Sequence, residues 1–227
     1  MKFKYIWLGQ TVLRFEVPLD IFMAINQAYE SNFKSLHKAN PQLVGKIENE
    51  HSLFYQGVNT SKMVKHNKLP KNVLEWFISV YKFYLDFNKI KDYKVKLTSI
   101  WVNEMKDHEY NPIHVHQGDL FTGLSSVMIL SLPSHYGKEY SAEDKPMNGL
   151  LQMMGNSNGQ FANVDYSPKL QVRDFYVFPY DMRHCVYPFN STKEVRRTLA
   201  ANCDVKYDPI RNRGVEWLKK NQVGNRT

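Results

Sequence analysis

Two histidines one residue apart, His114 and His116, stand in the stretch NPIHVHQGDL of a chain that holds only eight. In extended backbone, residues i and i+2 project to one face, so the two imidazoles would be presented side by side, at the spacing of adjacent ligands on a metal ion. A loop ahead of a strand can carry such a pair without any metal, so a third partner is needed. His184 supplies it, just after an aromatic run in FPYDMRHCVYPF and between Pro179 and Pro188. Twelve residues further on, VRRTLAAN opens another β-rich run with Arg196 and Arg197. A short turn through Phe189–Lys193 would fold the two segments into an antiparallel hairpin and bring a guanidinium close to His184. The chemistry expected of this set is a metal centre with an anion site as its neighbour.

The elements that must position these groups fall into two regions. In the first, VPLDIFMAINQAYESNFKSL places Ile21, Ile25 and Ala28 at helical spacing behind Pro18, which suits a helix start. LPKNVLEWFISVYKFYLDFN carries a stronger stripe: Val73, Leu74, Trp76, Phe77, Val80, Tyr81, Tyr84 and Leu85 form one apolar face behind Pro70. From Lys94 onward the pattern becomes short β-rich runs, VKLTSIWVNEM, LSSVMILSL, LQVRDFYVFP and VRRTLAANCDV, separated by Gly, Asn, Pro and Asp clusters. Helical periodicity is missing between them, so parallel βαβ winding is not expected. The expected fold is mainly β with α: an antiparallel sandwich or barrel supported by N-terminal helices. At 227 residues the chain fits a single domain, with mainly helical support over 1–93, a β core over 94–206 and a basic tail over 207–227.

Composition narrows the function classes less than the motifs do. A net charge of +8 suits anionic partners, but the lysines are scattered, which favours a solvated basic surface over a nucleic-acid site. Cys185 and Cys203 are the only cysteines, and neither a CxxC nor a zinc spacing occurs. They are expected to be buried small hydrophobes in a reducing compartment. The start of the chain lacks the pattern of a secretory signal, and no apolar stretch approaches eighteen residues. A cytoplasmic setting is expected, or the host cytoplasm for a phage-encoded chain.

The order of motifs resembles the iron(II)/2-oxoglutarate-dependent dioxygenases, and most specifically the 2OG-Fe(II) oxygenase group of marine bacteria and their phages. That group's N-x-x-H-x-H, S-x-V-x-x-L, F-P-x-x-x-x-H-x-V-x-P-F and R-x-S/T-x-A-x-N read here as NPIHVH, SSVMIL, FPYDMRHCVYPF and RRTLAAN. PQLVGKIENEHSL is also similar to its LxGxI-x-x-E segment. The resemblance implies a double-stranded β-helix (a jelly-roll, cupin-like core) that uses Fe(II), 2-oxoglutarate as co-substrate and O2. It further implies oxidative decarboxylation to succinate and CO2, coupled to attack on a substrate C–H bond. The primary substrate would be a peptide or protein, as in the prolyl-hydroxylase branch, or a small metabolite.

Most non-haem Fe(II) oxygenases combine two histidines with a carboxylate. Here His116 stands at the carboxylate position, so the ligand set implied is His114, His116 and His184. Asp119 is the alternative carboxylate. Its odd offset from His116 turns it to the opposite strand face unless Gly118 introduces a bulge. For the distal carboxylate of 2-oxoglutarate, a guanidinium offers two parallel charge-assisted hydrogen bonds. Arg196 and Arg197 must face opposite ways on a regular strand. Arg196 shares its face with Thr198, Ala200 and Asn202, a small and polar set that suits a pocket, whereas Arg197 shares its face with Leu199, Ala201 and Cys203. Arg196 is therefore assigned the clamp, with Thr198 adding a hydroxyl and Arg197 as the alternative. Trp101, Asn103 and Asn111 belong to the same family-like segment, as contacts or as turn residues that set the His pair. Tyr180 and Asp181 are candidates to orient His184. Two other classes compete: a cupin-like metal-binding isomerase or ligand-binding barrel, which needs no arginine near the distal His, and a basic binding module for nucleic acid.

Overall fold

Pro18 and Pro70 each end an extended segment and open a helix, since their fixed φ suits the first turn and their missing N–H would be unpaired there. The computed structural model of the protein describes residues 9–39, 44–59, 62–137, 147–155, 164–190 and 193–208. Helix α1 (Leu19–Asn32) buries Ile21, Ile25, Ala28 and Tyr29, and α2 (Lys71–Phe87) buries Val73, Phe77, Val80, Tyr81, Tyr84 and Leu85. Neither start has a side-chain cap, so packing of these stripes holds the helices in place.

The strands are β1 (Leu13–Glu16), β2 (His37–Lys38), β3 (Asn49–Asn59), β4 (Lys62–Asn67), β5 (Lys94–Met105), β6 (Asn111–His114), β7 (Gly123–Ser131), β8 (Leu151–Met154), β9 (Asp165–Tyr166), β10 (Asp174–Pro179), β11 (Arg183–Val186) and β12 (Arg196–Lys206). They pair antiparallel in two sheets. The major sheet runs β1-β10-β7-β12-β5-β3-β2, with β4 also on β3, and the minor sheet runs β6-β11-β8-β9. Together they form the expected mainly β double-stranded β-helix, with the helices on the outer face of the major sheet. The chief core joins that face to α1 and α2 through Phe77, Tyr81, Ile100, Met128, Phe175 and Leu199. Tyr81 also pins α2 to the sheet, its hydroxyl 2.8 Å from Ser126 Oγ. Phe77 is fully buried, with its ring against Phe175 and Tyr81. Phe77→Ala is expected to destabilise the protein by about 3–5 kcal/mol, read as a lower urea midpoint with unchanged slope.

Beside α1 and α2, the region before residue 94 contributes β1 to β4 to the major sheet, and β3 lies directly beside β5. One expectation changes. The Phe189–Lys193 hairpin does not form. β11 pairs with β6 and β8, whereas β12 pairs with β5 and β7, so the chain crosses from one sheet to the other between them. Residues 191 and 192 of that connection lie outside the described residues, as do Pro41–Leu43 of the LxGxI-x-x-E segment and 209–227 of the basic tail. Cys185 and Cys203 are free and buried. Among the described residues, no helix is long and apolar enough to cross a membrane.

Candidate metal and co-substrate site

The gap between the two sheets holds a cavity of about 830 Å³ that contains the three histidines on one wall and the Arg196 face of β12 on the other. His114 ends β6, and its Cα partner across the ladder is His184 on β11. The burial alternation of β6 continues past the strand end: Ile113, Val115 and Gln117 are exposed, while His114 and His116 are half-buried. His116 is held there by its backbone N–H, which donates to Tyr180 O at 3.0 Å. Ring centroids lie 4.2 Å apart for His114 and His184, 4.9 Å for His116 and His184 and 5.0 Å for His114 and His116. One ligand atom from each ring falls within 4.8 Å of the others.

The rings are set up as neutral donors. His114 Nδ1 lies 2.7 Å from Pro112 O and His184 Nδ1 3.0 Å from Met182 O. A carbonyl can only accept, so each Nδ1 carries the proton and each Nε2 keeps its lone pair for the cavity. Burial lowers the pKa of all three rings, His184 to about 3 and His116 well below the usual imidazole range, and for these two the neighbouring imidazoles add to the effect. Nε2 of His116 and Nε2 of His184 are 3.0 Å apart. Two ligands at right angles on one ion, each at about 2.1 Å, stand about 3.0 Å from one another, so this pair fits a shared metal. Asn202 Nδ2 sits 3.4 Å from His116 Nδ1, while its Oδ1 has no partner. A half-turn of the amide lets Oδ1 accept the Nδ1–H and leaves Nε2 of His116 free as well.

Asp119 is not part of this cluster. Its carboxylate pairs with Lys96 and accepts from Val58 N at 3.2 Å, and the Lys96 ammonium holds its pKa low. Asp204 explains the turn that sends it there: its carboxylate accepts from Leu120 N and from Tyr180 OH, each at 3.2 Å. A Cβ at Gly118 would run into that carboxylate. Tyr180 therefore acts on the His116 loop rather than on His184, which is oriented by Met182 O instead. Asp181 accepts from Gln10 Nε2 and does not reach His184. Asp119→Ala is expected to keep Fe(II) affinity within about threefold of wild type, and His116→Ala to lose it by a factor of about 100, in anaerobic calorimetric titrations.

On the facing wall the alternation of β12 is decisive. Arg196, Thr198, Ala200 and Asn202 line the cavity, while Leu199, Ala201 and Cys203 enter the helix-facing core. Arg196 is 2% exposed, and its Nε and Nη2 have no partner. The Tyr136 phenol interacts with it, yet the described residues set no carboxylate against it. Arg197 points the other way, 2.8 Å from Glu104, with its guanidinium 5.0 Å above the Tyr29 ring. Trp101, Asn103 and Asn111 all line the cavity. Asn111 Nδ2 is 3.4 Å from His114 Nε2, and the Trp101 and His116 ring centroids are 5.9 Å apart. Tyr136 was not singled out by the sequence, and Glu50, though it closes the LxGxI-x-x-E segment, was given no role there, because neither sits in a run whose period reveals the cavity face.

Residues 99–202 match the family described as "Putative 2OG-Fe(II) oxygenase". The match spans a little under half of the chain and includes both histidine segments and the start of β12. That family uses Fe(II), 2-oxoglutarate and O2, and both the neutral three-imidazole cluster and the buried Arg196 guanidinium fit that set. No curated protein matches the chain. Solved structures agree on the fold. A Pseudomonas putida prolyl-4-hydroxylase aligns over 88% of this chain and 93% of its own at 13% identity and TM-score 0.50. A Trichoplax adhaerens prolyl hydroxylase, solved with a hypoxia inducible factor peptide fragment, aligns over 90% and 86% at 10% identity and TM-score 0.50. The 2-oxoglutarate-dependent epimerase SnoN from nogalamycin biosynthesis aligns over 88% and 79% at 10% identity and TM-score 0.53.

Proposed function

We propose that the oxygenase binds Fe(II) through His114, His116 and His184, clamps the distal carboxylate of 2-oxoglutarate with Arg196 and Thr198, and hydroxylates a C–H bond of a peptide, protein or small metabolite. The observation that carries this is the pairing, in one cavity, of three neutral imidazoles with a buried guanidinium that has two unpartnered nitrogens. Iron and its co-substrate, when bound, supply the oxidative chemistry, with succinate and CO2 as products.

The chain's own residues do the rest. Three neutral ligands leave the metal's +2 charge uncompensated, so the site favours a dianionic co-substrate over a neutral one. The planar fork of Arg196 takes the far carboxylate, and the Thr198 hydroxyl, on the same face, adds a donor beside it. Tyr136, half-buried, sets its phenol beside the Arg196 guanidinium, and desolvation raises its pKa so that the hydroxyl stays protonated and able to donate. Trp101 and Phe178 pack against the rings of His116 and His184 and limit their rotation and access to water.

Anaerobic addition of Fe(II) and then 2-oxoglutarate tests the set. A metal-to-ligand charge-transfer band towards the red end of the visible spectrum is expected only when both are present. Bound iron with no band would favour a cupin-like metal-binding barrel without oxygenase activity.

A further inference from the structure

Glu50 is a carboxyl inside the same cavity that the co-substrate assignment leaves unused. It lies on β3, is 3% exposed and lines the cavity. Among the described residues its side chain has neither an ion-pair nor a hydrogen-bond partner, and burial raises its pKa to about 7. Its Cα partner across the ladder is Asn103, whose Oδ1 is likewise buried and without a partner. Asn103 in turn is the Cα partner of Thr198. The three therefore form one row across the cavity floor, and Glu50 stands two strand spacings, about 10 Å, from the proposed clamp. The cavity continues past Glu50 towards β2 and β4, where Lys38 and Lys65 line it.

A buried carboxyl without a partner is unfavourable in its charged form, and the folded state keeps it only where something compensates. Asn103 Oδ1 cannot, because it too accepts. Two acceptors side by side, one of them acidic, call for a group with several N–H donors and a positive charge. Resting on the oxygenase assignment above, we propose that Glu50 and Asn103 form the primary-substrate subsite, and that it takes a cationic nitrogen group, an ammonium or a guanidinium. The substrate is thus a basic amino acid, a basic residue of a peptide or another amine, with its reacting carbon turned towards the three histidines. Lys38 and Lys65 oppose a run of positive charge, so a single cation enters, and any carboxylate on the same molecule is directed to the lysines.

The test uses the full chain loaded anaerobically with Fe(II) and 2-oxoglutarate, with n-butylammonium and methylguanidinium as cationic probes and n-butanol and butyrate as controls. Affinities are read by ligand-observed NMR titration. Wild type is expected to bind at least one cationic probe about tenfold or more tightly than n-butanol and butyrate, and Glu50→Gln to reduce that preference to about twofold or less. Glu50→Asp, which keeps the charge, is expected to retain part of it. Equal binding of all probes, no binding of either cation, or an unchanged preference in Glu50→Gln overturns the assignment. The charge-transfer band recorded on the same samples separates the two levels. Its absence from wild type defeats the oxygenase assignment itself, whereas its presence beside a negative probe result defeats the Glu50 subsite alone.

Discussion

Replacing His184 with alanine is expected to abolish Fe(II) binding while leaving the fold in place. His184 is the ring that the other two meet: it faces His114 across the β6–β11 ladder and brings its Nε2 to 3.0 Å from that of His116. Its own orientation is set by Met182 O, and it is 3% exposed. Two imidazoles remain in the variant, one of them on the irregular loop after β6. Affinity should fall by a factor of about 100 or more, since even partners that only orient a ligand are worth 10–100-fold. The charge-transfer band should disappear with it. The loss of a neutral ring from a pocket wall leaves the helix–sheet core untouched, so far-ultraviolet circular dichroism should be unchanged. Stoichiometric Fe(II) retained by the variant would remove His184 from the ligand set.

Arg196→Met should move stability and co-substrate binding in opposite directions. In the protein without 2-oxoglutarate, the guanidinium is a buried charge with two unpartnered nitrogens, and burial depresses its pKa. An apolar side chain of similar length removes that burden, and replacements of buried charged groups by packed hydrophobes are often stabilising by about 1–4 kcal/mol. Each kcal/mol corresponds to about 2–4 °C in Tm for a chain of this size. Without co-substrate the variant is therefore expected to melt higher than wild type. With 2-oxoglutarate at about 1,000 times its Kd the order changes, because wild type gains about 4.1 kcal/mol by mass action and the variant gains nothing. Differential scanning fluorimetry with and without 2-oxoglutarate, in the presence of Fe(II), checks both signs. A variant that still gains stability from 2-oxoglutarate would move the clamp elsewhere. Arg197→Ala is the internal control: it breaks the Glu104 pair on the outer face of the sheet and should leave the 2-oxoglutarate response intact.

Much of this site was legible in one dimension because strand periodicity is local. Alternation along β12 separated Arg196 from Arg197, and the i, i+2 rule placed His114 and His116 on one face even though the regular strand stops at His114. The apolar stripes of α1 and α2 and the double-stranded β-helix implied by the motif order follow from equally local signals. Partner choice is different, since hydrogen bonding between strands depends on which distant segment is available. Sequence proximity made β11 and β12 look like a hairpin, yet they lie in opposite sheets, and His184 and Arg196 meet across the cavity instead.

The separation of Asp119 from the histidine cluster is also a tertiary result. A carboxylate three residues after His116 is neutral information until Lys96, Asp204 and Gly118 are placed around it. Glu50 shows the same division from the other side. In the sequence it closes the LxGxI-x-x-E segment without a chemical role, and only the pairing of β3 with β5 turns it inward beside Asn103, where no described residue pairs with it. Residue types and their period along the chain determined which side chains could serve a metal and an anion. Long-range strand pairing, whose favourable contacts form only between segments far apart in the chain, decided which of them share a cavity.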